Sequence, residues 1–260
     1  MSKKIIIANL KMYGSSSFYE DLFAQVKSAH QHLATNDVEI VMCIPYPYLF
    51  LAEKFFANSG ISWGSQNVAK NIEGPFTGEV SVTMLTDFST QYAIIGHSER
   101  NTAYCESDLN IAEKFKRLKE HHVRPILCVG ETLIEREAGM EKKVVQAQLE
   151  TILSNGPEIF TDSVIAYEPI WAIGSDMAAS PEQAQNMCSF IKDFIHSQDR
   201  PNGNDDQKKI PLKVVYGGSV NEKNTLQLLS LDEVDGALIG RGSLSADKFN
   251  QICNLAHQTL

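Results

Sequence analysis

Eight short, largely apolar runs recur along the chain, at residues 4–8, 39–43, 61–64, 92–95, 125–129, 164–166, 213–215 and 236–239. Each is too short for a globular helix and rich in β-branched or aromatic residues, so each reads as a buried strand. The stretches between them carry helical period. Phe18, Leu22, Val26, Ala29 and Leu33 fall on one face, and Ile111, Phe115 and Leu118 on another. Ser180-Pro181-Glu182 is a helix start, with a capping hydroxyl, a proline in the first turn and an acid against the dipole. Strands separated by helices run parallel. Eight strands alternating with eight helices predict an α/β chain folded as one closed (β/α)8 barrel over residues 1–260, and the alternative is an open doubly wound sheet. No linker, low-complexity tract or charge block divides the sequence.

Two connections are long. Residues 68–78 follow the third strand, and residues 199–211 precede the seventh. The second is polar, lies on the N-terminal side of a strand, and is expected to be a surface insertion.

Composition sharpens this picture in two ways. The net charge of −9 disfavours nucleic acid and anionic membrane as partners, while leaving room for a locally positive pocket. No apolar run reaches the ~18 residues of a membrane span. Lys3 and Lys4 before Ile5-Ile6-Ile7 imitate a signal peptide, but Asn9 and Lys11 interrupt the run. Cys43, Cys105, Cys128, Cys188 and Cys253 are odd in number and widely spaced, which suits reduced thiols in a cytoplasmic protein.

In such a barrel, chemistry gathers at the C-terminal ends of the strands. Asn9-Leu10-Lys11 follows strand one, Gln66-Asn67 strand three, and Gly96-His97-Ser98-Glu99-Arg100 strand four. Gly130-Glu131 follows strand five, Tyr167-Glu168-Pro169 strand six, Gly217-Gly218-Ser219 strand seven, and Gly240-Arg241-Gly242 strand eight. One rim therefore collects a base candidate in Glu168, an acid candidate in His97 and a cation in Lys11. At a helix start, His97 is expected to remain neutral. The glycine turns after strands seven and eight let backbone amides approach an anion. Residues 171–179 have the small residues of a lid. Gly240-Arg241-Gly242 is no dinucleotide fingerprint, because Ser245 replaces the third glycine. His30, His32, His121 and His122 lack partners at metal-ligand spacing, so no metal is expected.

Asn9-Leu10-Lys11-Met12, Ile95-Gly96-His97-Ser98-Glu99-Arg100, Cys128-Val129-Gly130-Glu131-Thr132, the run from Ala166 to Gly174, and Tyr216-Gly217-Gly218-Ser219-Val220 together resemble the motifs of the triosephosphate isomerase family, essentially end to end. The resemblance implies the TIM-barrel fold and the interconversion of dihydroxyacetone phosphate and glyceraldehyde 3-phosphate, a reaction of glycolysis and gluconeogenesis, without a cofactor. It implies Glu168 as base, His97 as electrophile, Lys11 helped by Asn9 as electrostatic stabiliser, and Glu99 as a buried acid beside them. The same resemblance implies a phosphate held near Gly174, Ser219, Gly240 and Arg241, and a lid hinged near Pro169 and Trp171 that latches on Tyr216 and Ser219. Gln66 and the 67–78 loop, with Thr77 at its tip, would dock on a second copy in a homodimer. The chain departs from the family at Leu10, at Ser175-Asp176-Met177-Ala178 in the lid, and at Arg241, where a second glycine is usual and a positive φ would be strained. The competing reading is a barrel that binds a phosphorylated ligand without catalysis.

Overall fold

The computed structural model describes residues 3–30, 38–173, 179–198 and 209–259. Its strands are β1 (Lys4–Asn9), β2 (Val38–Ile44), β3 (Ser62–Ser65), β4 (Tyr92–Ile95), β5 (Arg124–Val129), β6 (Ser163–Tyr167), β7 (Leu212–Tyr216) and β8 (Gly236–Ile239). All eight pair in parallel with their sequence neighbours, and β8 pairs with β1, so the sheet closes into a barrel rather than remaining open. Closure brings Ile5 opposite Gly236 and Ala8 opposite Ile239. A Cβ at Gly236 would lie 1.8 Å from the Ile5 carbonyl oxygen, so this seam needs a residue without one.

Alternation along the strands divides the core in two. Ile5, Ile7, Val41, Cys43, Ile94, Ile126, Cys128 and Leu238 belong to an inner cluster. Ile6, Ala8, Met42, Ile95, Leu127 and Val129 belong to the larger one, which the helices cover. Strands buried on both faces have no polar side, which is why they read as continuous apolar runs. Asn9 continues the inward parity of Ile5 and Ile7 and therefore points into the barrel mouth.

The connections hold α1 (Ser16–His30), α2 (Leu49–Phe56), α3 (Val82–Thr86), α4 (Ser98–Tyr104), α5 (Asp108–Glu120), α6 (Leu133–Glu137), α7 (Glu141–Leu153), α8 (Pro181–Gln198), α9 (Thr225–Leu229) and α10 (Ala246–His257). Among the described residues, ten replace the expected eight because the connections after β4 and β5 each hold two helices. The expected face of α1 needs correction. Leu22 and Val26 are buried, but Ala29 is exposed, Phe18 is half-buried and Leu33 lies outside the described residues. Tyr19 and Phe23 are buried instead, stacking on Tyr48 and packing on Phe56, because large aromatic rings outweigh one alanine in deciding which way the helix turns. The α8 start is as read from the sequence. Ser180 Oγ accepts the Gln183 amide at 3.1 Å, and Gln183 Oε1 accepts the Ser180 amide at 2.8 Å. Most of the 199–211 insertion lies outside the described residues. Among the described residues, no helix is long and apolar enough to cross a membrane.

Candidate active site

The ends of β1, β4 and β6 bring Asn9, Lys11, His97 and Glu168 to one cavity of about 380 Å³, which also meets Ile173, Ser219, Gly240 and Arg241. Asn9 is buried, and its Oδ1 accepts the Lys11 amide at 3.1 Å. That short link bends the chain, leaving Lys11 with a φ of 51° and its ammonium on the Glu99 carboxylate. A non-glycine residue in this conformation is strained, and such strain concentrates where a side chain must be aimed.

His97 caps α4, and its Nδ1 accepts the Glu99 amide at 3.2 Å. An accepting Nδ1 carries a lone pair, so in the neutral ring the proton resides on Nε2. Nε2 stands 3.3 Å from Oε1 of Glu168. The expectation of a histidine at a helix start is met, and the cap adds what the sequence did not give, the tautomer.

Glu168 is held by its backbone. Its amide donates to Val129 O at 2.7 Å, and the following turn returns Ile170 N–H to Glu131 O at 3.0 Å. Two glycines make room for it. A Cβ at Gly130 would lie 1.8 Å from the Glu168 carbonyl oxygen, and one at Gly217 would lie 2.7 Å from its Cγ. The side chain is buried, and its Oε2 has no hydrogen-bond partner. Burial raises the carboxyl pKa above its ordinary value, against the opposing pull of His97, Cys128, the Ser98 amide and Lys11. Cys128 lies beneath it, its own thiol pushed well up by burial and then by Glu168. The arrangement can therefore move a proton between a buried carboxyl group and a bound molecule, beside an imidazole and a cation.

The phosphate-side residues are less uniformly placed. Gly174 and the lid positions Ser175, Asp176, Met177 and Ala178 lie outside the described residues. Ser219 and Arg241 both reach the cavity, and no described residue accepts a hydrogen bond from either backbone amide. Arg241 does not adopt a positive φ, so the expected strain there is absent. The chain turns instead at Gly240, with φ −86° and ψ −106°. At the base of the expected lid, Pro169 is buried and precedes a tight turn, Ile170–Ala172, in which Trp171 Nε1 donates to Glu131 Oε1 at 3.0 Å. Tyr216 accepts the Ala179 amide at 3.1 Å, immediately after the undescribed lid segment. Ser219 makes no hydrogen bond with the described part of that loop; its carbonyl accepts from Asn224 Nδ2 at 2.9 Å.

Glu99 requires correction. The resemblance implied a buried acid, yet its side chain is 53% exposed in the single chain. It faces a second cavity lined by Met12, Tyr46, Gln66 and Tyr104, where Met12 and Tyr104 are themselves exposed. Gln66 donates to Cys43 O, while Thr77 and Phe76 stand exposed at the end of a loop whose base is tied to α5 through Asn67–Lys114 and Lys70–Asn110. Lys248 and Glu222 also line the first cavity, and sequence reasoning missed them because a charged residue in a helix start or loop carries no distinguishing signal. Among the described residues, no group of three or more His, Cys, Asp and Glu side chains is disposed to hold a metal ion.

The family model described as "Triosephosphate isomerase" matches residues 4–256. A triosephosphate isomerase of Thiobacillus denitrificans is 42% identical over 257 residues, covering 98% of this chain and 99% of its own. One from Dechloromonas aromatica is 39% identical over 258 residues, covering 99% of this chain and 100% of its own, and one from Pseudoalteromonas translucida is 42% identical, with 99% and 98% covered. With a closed barrel, the motifs gathered at its mouth and this end-to-end similarity, the chain belongs to the triosephosphate isomerase family.

Proposed function

We propose that the protein, one domain over residues 1–260, interconverts dihydroxyacetone phosphate and glyceraldehyde 3-phosphate. The observation that carries this reading is the pairing of a buried carboxylate, Glu168, with Nε2 of His97 at 3.3 Å, beside Lys11. Glu168 takes the proton from the carbon next to the carbonyl and returns it to the neighbouring carbon. His97 gives its Nε2 proton to the carbonyl oxygen and takes one from the adjacent hydroxyl, so the enediol forms and collapses with protons balanced. Lys11, oriented through Asn9, offsets the negative charge that builds on the oxygens. Glu99 holds the Lys11 ammonium and, through its amide, the His97 tautomer. No cofactor is needed, because every step is a proton transfer.

The amides of Ser219, Gly240 and Arg241, with Gly174 from the lid, are proposed to hold the phosphate. Pro169 and Trp171 act as the hinge, and Tyr216 and Ser219 as the latch. Closure would keep water from the intermediate. We propose a cytoplasmic homodimer, in which Gln66 and the 67–78 loop meet a second copy and Thr77 closes over Glu99. The exposed Phe76 and Met12 support such a partner. The test is a coupled assay of glyceraldehyde 3-phosphate conversion by the purified protein with Glu168→Ala beside it. Activity lost in the variant is the expected result. An inactive, folded wild type would instead indicate a barrel that binds phosphate without turnover.

A further inference from the structure

We infer that the side chains of Arg241 and Lys248 form a cationic wall at one end of the cavity and recognise the substrate phosphate directly, in addition to the backbone amides; this rests on the isomerase reading. Both residues line the cavity that holds Glu168 and His97. Among the described residues neither has an ion-pair partner. By contrast the other described arginines, Arg100, Arg117, Arg124 and Arg136, each meet an acid. In a chain with a net charge of −9, acids are plentiful, so two unpaired cations on one cavity point to an anion from outside the chain.

Their positions reinforce this. Lys248 lies in the first turn of α10, where a cation opposes the helix dipole and an acid would be favoured. It gains nothing there from the helix itself. The backbone beneath both residues is fixed. Ser243 N–H and Oγ donate to Gly240 O at 2.9 and 2.6 Å, and Ser245 Oγ caps the amide of Lys248. The two residues are therefore exposed cations on a fixed backbone. A guanidinium offers paired donors to two phosphate oxygens, and an ammonium adds a compact charge. Lys11 is already engaged by Glu99, and the remaining acid on this rim, Glu222, would oppose an anion.

The test uses Arg241→Gln, Lys248→Gln and the double variant. KM for the triose phosphate should rise by roughly tenfold in the double variant with kcat little changed, as expected when charge-assisted hydrogen bonds to the ligand are lost. Competitive inhibition by inorganic phosphate should weaken in parallel, and the loss should be larger for the triose phosphate than for unphosphorylated glyceraldehyde. An equal fall with glyceraldehyde would mean that the residues only support the fold of the rim, and unchanged phosphate inhibition would likewise overturn the proposal. Calorimetric titration with inorganic phosphate separates this from the isomerase reading. Binding that is lost in the double variant upholds the cationic wall even if the wild type turns over no triose phosphate.

Discussion

Nε2 of His97 and Oε1 of Glu168 lie 3.3 Å apart, both buried, across the mouth of the barrel. Nε2 faces the carboxylate while Nδ1 accepts the Glu99 amide. In the proposed reaction a substrate entering between them would exchange this one contact for two, a base on carbon and a donor on oxygen.

Glu168→Gln is expected to lower kcat/KM by ~10²–10⁴-fold, the usual contribution of a positioned base. The same change should stabilise the fold at neutral pH. Because burial raises the folded carboxyl pKa above its ordinary 4.5, the folded state prefers the proton. Wild-type stability from this group is complete below the ordinary value and declines as pH rises through the raised one. Thermal melts should thus show little difference between the two proteins near about pH 4 and a growing advantage for the variant towards about pH 8. The acid limb of kcat/KM should fall above 4.5. A pH-independent gap between the melting curves would contradict the assignment.

Lys11 separates charge from backbone strain. Lys11→Ala and Lys11→Gly should both lose activity, since both remove the ammonium. Glycine tolerates the φ of 51°, so Lys11→Gly should be the more stable of the two by about 1 kcal/mol. Urea unfolding of the pair measures this directly, and equal stabilities would show that the left-handed turn stores no strain.

Gly130→Ala should damage catalysis without touching a reacting group. The new methyl would sit 1.8 Å from the Glu168 carbonyl oxygen, and that neighbour is backbone, so it must shift. A displacement of about 1 Å at the base costs on the order of 10²-fold in rate. The expected result is a folded protein by circular dichroism with kcat reduced to that degree.

Phe76→Asp tests the second copy. Phe76 is 41% exposed in the single chain, on a loop anchored only at its base. Burying a carboxylate in an apolar contact is unfavourable, so sedimentation should move towards monomer with a parallel loss of activity. A monomer that stays fully active would dismiss the proposed role of residues 67–78.

Much of this was legible in the sequence because the strands are buried on two sides. Ile5-Ile6-Ile7 and Tyr92–Ile95 have no solvent face to interrupt them, and the first polar residue after each run marks the rim. Lys11, His97 and Glu168 stood out for that reason. Of the extra helices, α4 was legible only in its start at His97 and α6 not at all, since seven and five residues are too few to establish a period. The burial of His30 depends on Asn250, far along the chain, which no local pattern carries. The fit of Gly130 beneath Glu168 and the arrival of Lys248 at the cavity are tertiary facts, invisible until β5, β6 and α10 are packed together.

The seam between β1 and β8 has a consequence for synthesis. β1 is made first among the strands and finds its second neighbour only when Gly236–Ile239 has been made. Until then Ile5-Ile6-Ile7 is an apolar edge with unpaired backbone groups, able to template other chains. Ile5-Ile6-Ile7 therefore has to be shielded until Gly236–Ile239 has left the ribosome, and the earliest of these strands is sealed by the latest.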